Sequence, residues 1–169
     1  MNLREEILKE HSKKQCTNIV HWVGDDQQRF DELFRLFIKD NYRVVQRAAW
    51  PLSYCVKANP HFIKSNFGKL ILNLQQLKLH NAIKRNTIRL LQWVDIPKKF
   101  QGAVMELCFM YLQSPEEPVA VKIFSMSVLK TLSEKYPEIV PELQMVIREQ
   151  LPRQTAGFRS RANKIGIII

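Results

Sequence analysis

Val45-Gln46-Arg47-Ala48, Ile83-Lys84-Arg85-Asn86, Val121-Lys122-Ile123-Phe124 and Phe158-Arg159-Ser160-Arg161 are four versions of one phrase, and their first residues stand 38, 38 and 37 positions apart. Each of the first three opens a segment of helical length that closes on a proline with an apolar residue just beyond: Pro60 before Phe62, Pro97 before Phe100, Pro137 before Ile139. A fixed period in this range, with room for two helices per unit, marks a stacked helical array. A second echo lies 71 positions apart, close to two periods: Lys14-Gln15-Cys16-Thr17-Asn18-Ile19 through Trp22-Val23 lines up with Arg85-Asn86-Thr87-Ile88-Arg89-Leu90 through Trp93-Val94.

The apolar residues inside each unit repeat with helical spacing. Phe30, Leu33, Phe34 and Phe37, and again Phe67, Leu70, Ile71 and Leu74, fall at i, i+3, i+4 and i+7, which is one face of a helix. Helices are expected over 2–10, 12–23, 26–39, 42–58, 61–78, 81–94, 98–113, 118–135, 138–150 and 155–165, with no competing strand signal. Gly24-Asp25-Asp26 ends one helix and places acids at the start of the next, and Ser114-Pro115-Glu116-Glu117-Pro118 does the same with a proline near the first turn. Such short connectors make successive helices antiparallel hairpins. Pro51 lies inside one of these helices, where it cannot donate to the carbonyl of Arg47 and should bend it, while Ala48 and Ala49 let a neighbouring helix come close.

A chain of 169 residues with 46 % apolar and 25 % charged residues has the size and composition of one globular domain, 1–169. Three cysteines, Cys16, Cys55 and Cys108, are too far apart for any CxxC pair and odd in number, so they read as reduced, packed thiols of a cytoplasmic protein. The start, Met1-Asn2-Leu3-Arg4-Glu5-Glu6, lacks the apolar stretch of a signal peptide, and no run is long enough to span a membrane. Gly166-Ile167-Ile168-Ile169 is expected to cover the edge of the last repeat or to fray. The sequence does not fix an oligomeric state.

The net charge of +10 is unevenly spread. Residues 1–41 carry seven Lys/Arg and eight Asp/Glu, and residues 101–152 carry four and seven. Between them, residues 42–100 hold eleven basic side chains and one acid, Asp95; the tail from 153 adds four basic residues and no acid. Fields of this kind favour anionic partners.

Helix pairs with a basic residue early in the second helix, a proline-started helix after it and a period near 38 resemble HEAT-like repeats over about residues 12–165. The resemblance implies an all-α, right-handed α-solenoid of HEAT-like helical hairpins, with about 4–5 repeats and nine or ten helices. It also implies an armadillo-like curve whose concave side is lined by the second helices, which begin near Ser12, Tyr42, Asn81, Pro118 and Thr155. Its repeat architecture and basic inner face are similar to those of the HEAT-like alkylpurine DNA glycosylases, in which an acid flanked by aromatics acts on damaged DNA. That likeness makes Asp95, near Trp93 and Trp50, the one catalytic candidate; its place two residues before Pro97 equally suits a turn or a helix cap.

Arg43, Arg47, Trp50 and Tyr54 are spaced i, i+4, i+7 and i+11, one stripe on a helix, and Arg85, Arg89 and Gln92, with Trp93 beside them, occupy corresponding places on the next second helix, where Lys84 is a further candidate contact. Side by side the stripes would make a basic patch with Arg47, Arg85 and Arg89 exposed, a track for a phosphate backbone with rings available for stacking. The same residues also read as a solvated face with buried tryptophans. Arg159 and Arg161 form a second basic cluster. No metal-ligand spacing joins His11, His21, His61 and His80 to each other or to cysteine, and no nucleotide or nucleophile motif occurs, so no metal and no cofactor is expected. Three functions fit: a binding module or scaffold holding an anionic macromolecule (DNA, RNA or an acidic protein segment), a glycosylase-like repair protein, and a purely structural scaffold or oligomerisation unit.

Overall fold

Six of the ten described helices start on a side chain that satisfies a free amide of the first turn. The computed structural model describes residues 1–76 and 78–166, and their regular structure is helical throughout. In α1 (Leu3–Lys9), α2 (Lys13–Val23), α3 (Gln27–Ile38) and α4 (Tyr42–Ala58), the side chains of Asn2, Ser12, Asp26 and Asn41 accept from amides of the first turn. Helix α2 stops at Gly24, whose φ of 51° is one that a residue with a Cβ rarely adopts. A 3-10 segment, Pro60–Asn66, then leads into α5 (Phe67–Leu74), and α6 (Asn81–Leu91) follows. The later helices are α7 (Lys98–Gln113), α8 (Val119–Ser133), α9 (Val140–Gln150) and α10 (Ala156–Lys164). Pro97 and Pro118 precede α7 and α8 without a side-chain cap, and Thr155 caps α10. Residues 167–169, the apolar ending, lie outside the described residues.

The described residues fall into two compact units, one running to Asp95 and the other from Ile96. In the first, α1 pairs with α2, α3 with α4, and α5 with α6, while the second helices α2, α4 and α6 pack side by side. In the second, α7 pairs with α8, and α8 packs against both α9 and α10. The residues opening the repeated phrase, Val45, Ile83, Val121 and Phe158, all lie in the first or second turn of a second helix and are all buried. The repeat is therefore a packing position that recurs. Around it the aromatic core of the first unit is built by Phe30, Phe34 and Phe37 of α3, with the Phe30 and Phe62 ring centroids 5.1 Å apart.

Polar contacts carry the same period. Arg4 binds Asp40 through two bonds of 2.9 and 3.0 Å, the amide of Gln27 donates to the carbonyl of Phe62, the amide of Asn66 donates to Asp31, and Tyr42 bonds His80. In the second unit Tyr136 donates to Gln101 and Gln150 to the carbonyl of Leu112. Each of these joins residues 35 to 38 positions apart, so within each unit neighbouring helix pairs are tied about one period apart. Lys122, in the phrase's third copy, is buried; its Nζ donates to Gln150 at 3.0 Å, and burial holds its pKa below the ordinary lysine value.

Several expected elements are shorter or split. The helix expected over 61–78 is the 3-10 segment plus α5, because the buried Asn66 leaves helical geometry (φ −104°, ψ 2°) to reach Asp31; Leu77, within that expectation, lies outside the described residues. The helix expected over 81–94 ends at Leu91, where the amides of Gln92 and Trp93 turn back three residues to Arg89 and Leu90. The one expected from 138 begins as a 3-10 turn at Pro137. Pro51 does sit inside α4, buried, and Ser53 Oγ donates to the carbonyl of Trp50 beside it.

Phe30→Ala should cost about 3–5 kcal/mol of stability, since the side chain is fully buried and its ring packs on those of Phe34 and Phe62. Leu72→Ala, with Leu72 67 % exposed, should stay within about 0.5 kcal/mol. Urea unfolding followed by helical circular dichroism measures both.

Candidate nucleic-acid interface on α4 and α6

The outward stripe of α4 runs Arg43, Arg47, Trp50, Tyr54 and Lys57, and α6 packs alongside it. Two cations sit on aromatic faces here. The Arg89 guanidinium carbon lies 5.1 Å from the Tyr54 ring centroid and 5.5 Å from that of Trp93, and Lys57 Nζ lies 5.4 Å from the Trp93 centroid. Arg89 Nη2 also donates to Tyr54 Oη in a long bond of 3.4 Å. Contacts of this kind hold a cation in place without neutralising it. The Tyr54 phenol responds: first the Arg89 guanidinium and then the Trp50 side chain lower its pKa below the ordinary tyrosine value.

The expected site residues part into groups. Arg43 and Arg85 are exposed, and Tyr54 is exposed at 37 %. Trp50, Lys84, Arg89 and Trp93 are half-buried. Arg47, expected to be exposed beside Arg85 and Arg89, is instead half-buried. Its Nη1 donates to the carbonyls of Leu8 at 2.7 Å and Ile7 at 3.4 Å, in the last turn of α1. Those carbonyls have no amide of their own helix to accept from, so a nearby guanidinium is drawn to them rather than to solvent. Arg89 also falls short of the expected exposure, because it lies against two rings. Those rings were expected as open stacking surfaces; Tyr54 and Trp93 each carry a cation on a face instead.

Two participants were missed. Lys57 is the next place on the α4 stripe, i+14 from Arg43, and that spacing could have found it. His11, in the connection between α1 and α2, has its ring centroid 5.6 Å from that of Trp50, about one repeat period away, and the packing of α1 and α2 on α4 brings them together. Asp95 is exposed, outside any helix, at the end of the first unit; helix α7 takes Pro97 as its cap position. Arg159 and Arg161 belong to α10 in the second unit, where Arg159 is exposed and Arg161 Nη1 donates to Ser127 Oγ at 3.1 Å.

The cysteines offer no thiolate. Burial pushes the Cys16 thiol up to about 11, with Arg89 partly opposing, and pushes Cys55 and Cys108 to about 12, so all three stay protonated near neutral pH. Among the described residues no three His, Cys, Asp or Glu side chains gather as a metal site, and no helix is long and apolar enough to cross a membrane.

A family model described as a HEAT repeat domain matches residues 3–166. No curated protein and no solved structure matches the chain. A repeat architecture of this kind makes the chain a scaffold or binding module.

Arg47→Ala should cost about 1.5–3 kcal/mol in urea unfolding, the range for hydrogen bonds from a charged donor, whereas Arg85→Ala should stay within about 0.5 kcal/mol. In Arg89→Leu the Tyr54 phenol should titrate at higher pH than in the parent, read by tyrosinate absorbance, with the transition assigned by its loss in Tyr54→Phe.

Proposed function

We propose that this chain, which belongs to the HEAT repeat domain family, is a non-catalytic binding module that holds nucleic acid by its phosphate backbone across α4 and α6. The observation that carries this reading is the placement of Arg89 and Lys57 on the rings of Tyr54 and Trp93, with Arg43 and Arg85 exposed on the same two helices. The block from 42 to 100 offers these cations a single acid, Asp95. Rings that hold the cations leave the guanidinium and ammonium N–H groups to meet phosphate oxygens.

Backbone contacts of this type fix position and carry no sequence information. Base stacking on Tyr54 or Trp93 would first displace Arg89 or Lys57, so single and double strands should bind through the same phosphate term. The free, buried thiols suit a reducing compartment such as the cytoplasm.

If about six phosphates of a duplex are neutralised, log affinity should fall with log salt at a slope near −5. Replacing Lys57, Arg85 and Arg89 together by Gln should flatten that slope by up to about three units and leave the helix content unchanged. Replacing the exposed Lys39, Lys64 and Lys69 on the partner elements removes equal charge elsewhere in the unit and serves as the control. Equal losses in both triple variants would reduce the effect to net charge. A parent chain that binds no DNA or RNA at low salt but retains an acidic peptide would replace nucleic acid with a protein partner.

A further inference from the structure

Helix α6 is capped by a histidine. His80 Nδ1 accepts the backbone amide of Ala82 at 3.1 Å, and Nε2 lies 2.8 Å from Tyr42 Oη, with the two rings edge to face at a centroid distance of 4.7 Å. An Nδ1 that accepts is unprotonated, which leaves the proton of the neutral ring on Nε2 to donate to Tyr42. The caps Asn2, Ser12, Asn41 and Thr155 at other helix starts are uncharged amides and hydroxyls.

We propose that His80 is a pH-sensitive cap: uptake of a proton at Nδ1 releases the Ala82 amide and loosens the first turn of α6. Two effects act in the same direction. The imidazolium has no lone pair left to accept the amide, and its positive charge stands at the positive end of the α6 dipole. The surrounding charges do not offset this. His80 lines a cleft of about 230 Å³ with Tyr42 of α4, Asp40 and Lys78 of the adjoining connections, and Asn73 of α5. The Asp40 carboxylate is already bonded twice by Arg4 and by the amide of Asn41. Lys78 adds a second positive charge, and α5 contributes no titratable group to the cleft. The neutral ring is the one the cap uses, so a proton taken up at Nδ1 removes the acceptor that holds the Ala82 amide. The cap lies at the root of the helix that carries Arg85 and Arg89.

Amide hydrogen exchange by NMR on the full chain tests this, with each rate divided by its intrinsic value at the same pH. Protection of Ala82 should fall about tenfold from pH 7.5 to 5, while that of Val44, capped by the non-titrating Asn41 side chain, stays flat. His80→Asn supplies an uncharged cap and should hold Ala82 protected at both pH values. His80→Ala should leave it unprotected at both. Flat protection of Ala82 in the parent chain, or the same fall in His80→Asn, overturns the proposal.

Discussion

Helix α4 has no apolar side to spare. It packs against α3 within its own hairpin, against α2 and α6 on either flank, and against α1. Val44, Ala48, Ala49, Leu52 and Val56 are completely removed from solvent. At roughly 25 cal/mol per Å² of apolar surface removed from water, this burial contributes strongly to the stability of the first unit. It also fixes which α4 side chains can emerge. They come out along one narrow stripe, whose end at Tyr54 and Lys57 meets Arg89 of α6 and Trp93 just beyond it.

The basic residues of α4 and α6 then meet different surroundings. Arg47 projects where α1 ends, and the unpaired carbonyls of Ile7 and Leu8 take its guanidinium. Arg89 and Lys57 project where aromatic rings are at hand, and they lie on those rings. Arg43 and Arg85 meet neither and stay in water. One residue type thus serves as helix cap, ring-held cation and solvated charge within two helices.

Repetition also explains why so many polar contacts join residues about one period apart. In a stack each hairpin meets only its neighbours, so a side chain that crosses a helix boundary lands on the equivalent place in the next unit. Arg4 with Asp40, Asn66 with Asp31, and Tyr136 with Gln101 all follow this rule. None of them is visible in the hydrophobic pattern. Asn66 shows the cost, since reaching Asp31 interrupts what the apolar spacing alone reads as one continuous helix.

The sequence by itself determined that the chain is helical, roughly where most helices lie, and the period, because apolar spacing and start signals act between residues a few positions apart. The Phe30 to Phe37 face, the acids that start the helix after Gly24, and the recurring openings Val45, Ile83, Val121 and Phe158 were all read that way. It also determined that basic residues crowd the second helices between 42 and 100. Only the tertiary structure decided what each of those cations does. Arg47 and Arg85 hold similar places in the repeated phrase, yet one lies over the end of α1 and the other faces water. Which neighbour a long side chain meets depends on groups some 35 to 40 residues away, and a local pattern contains no term for that distance.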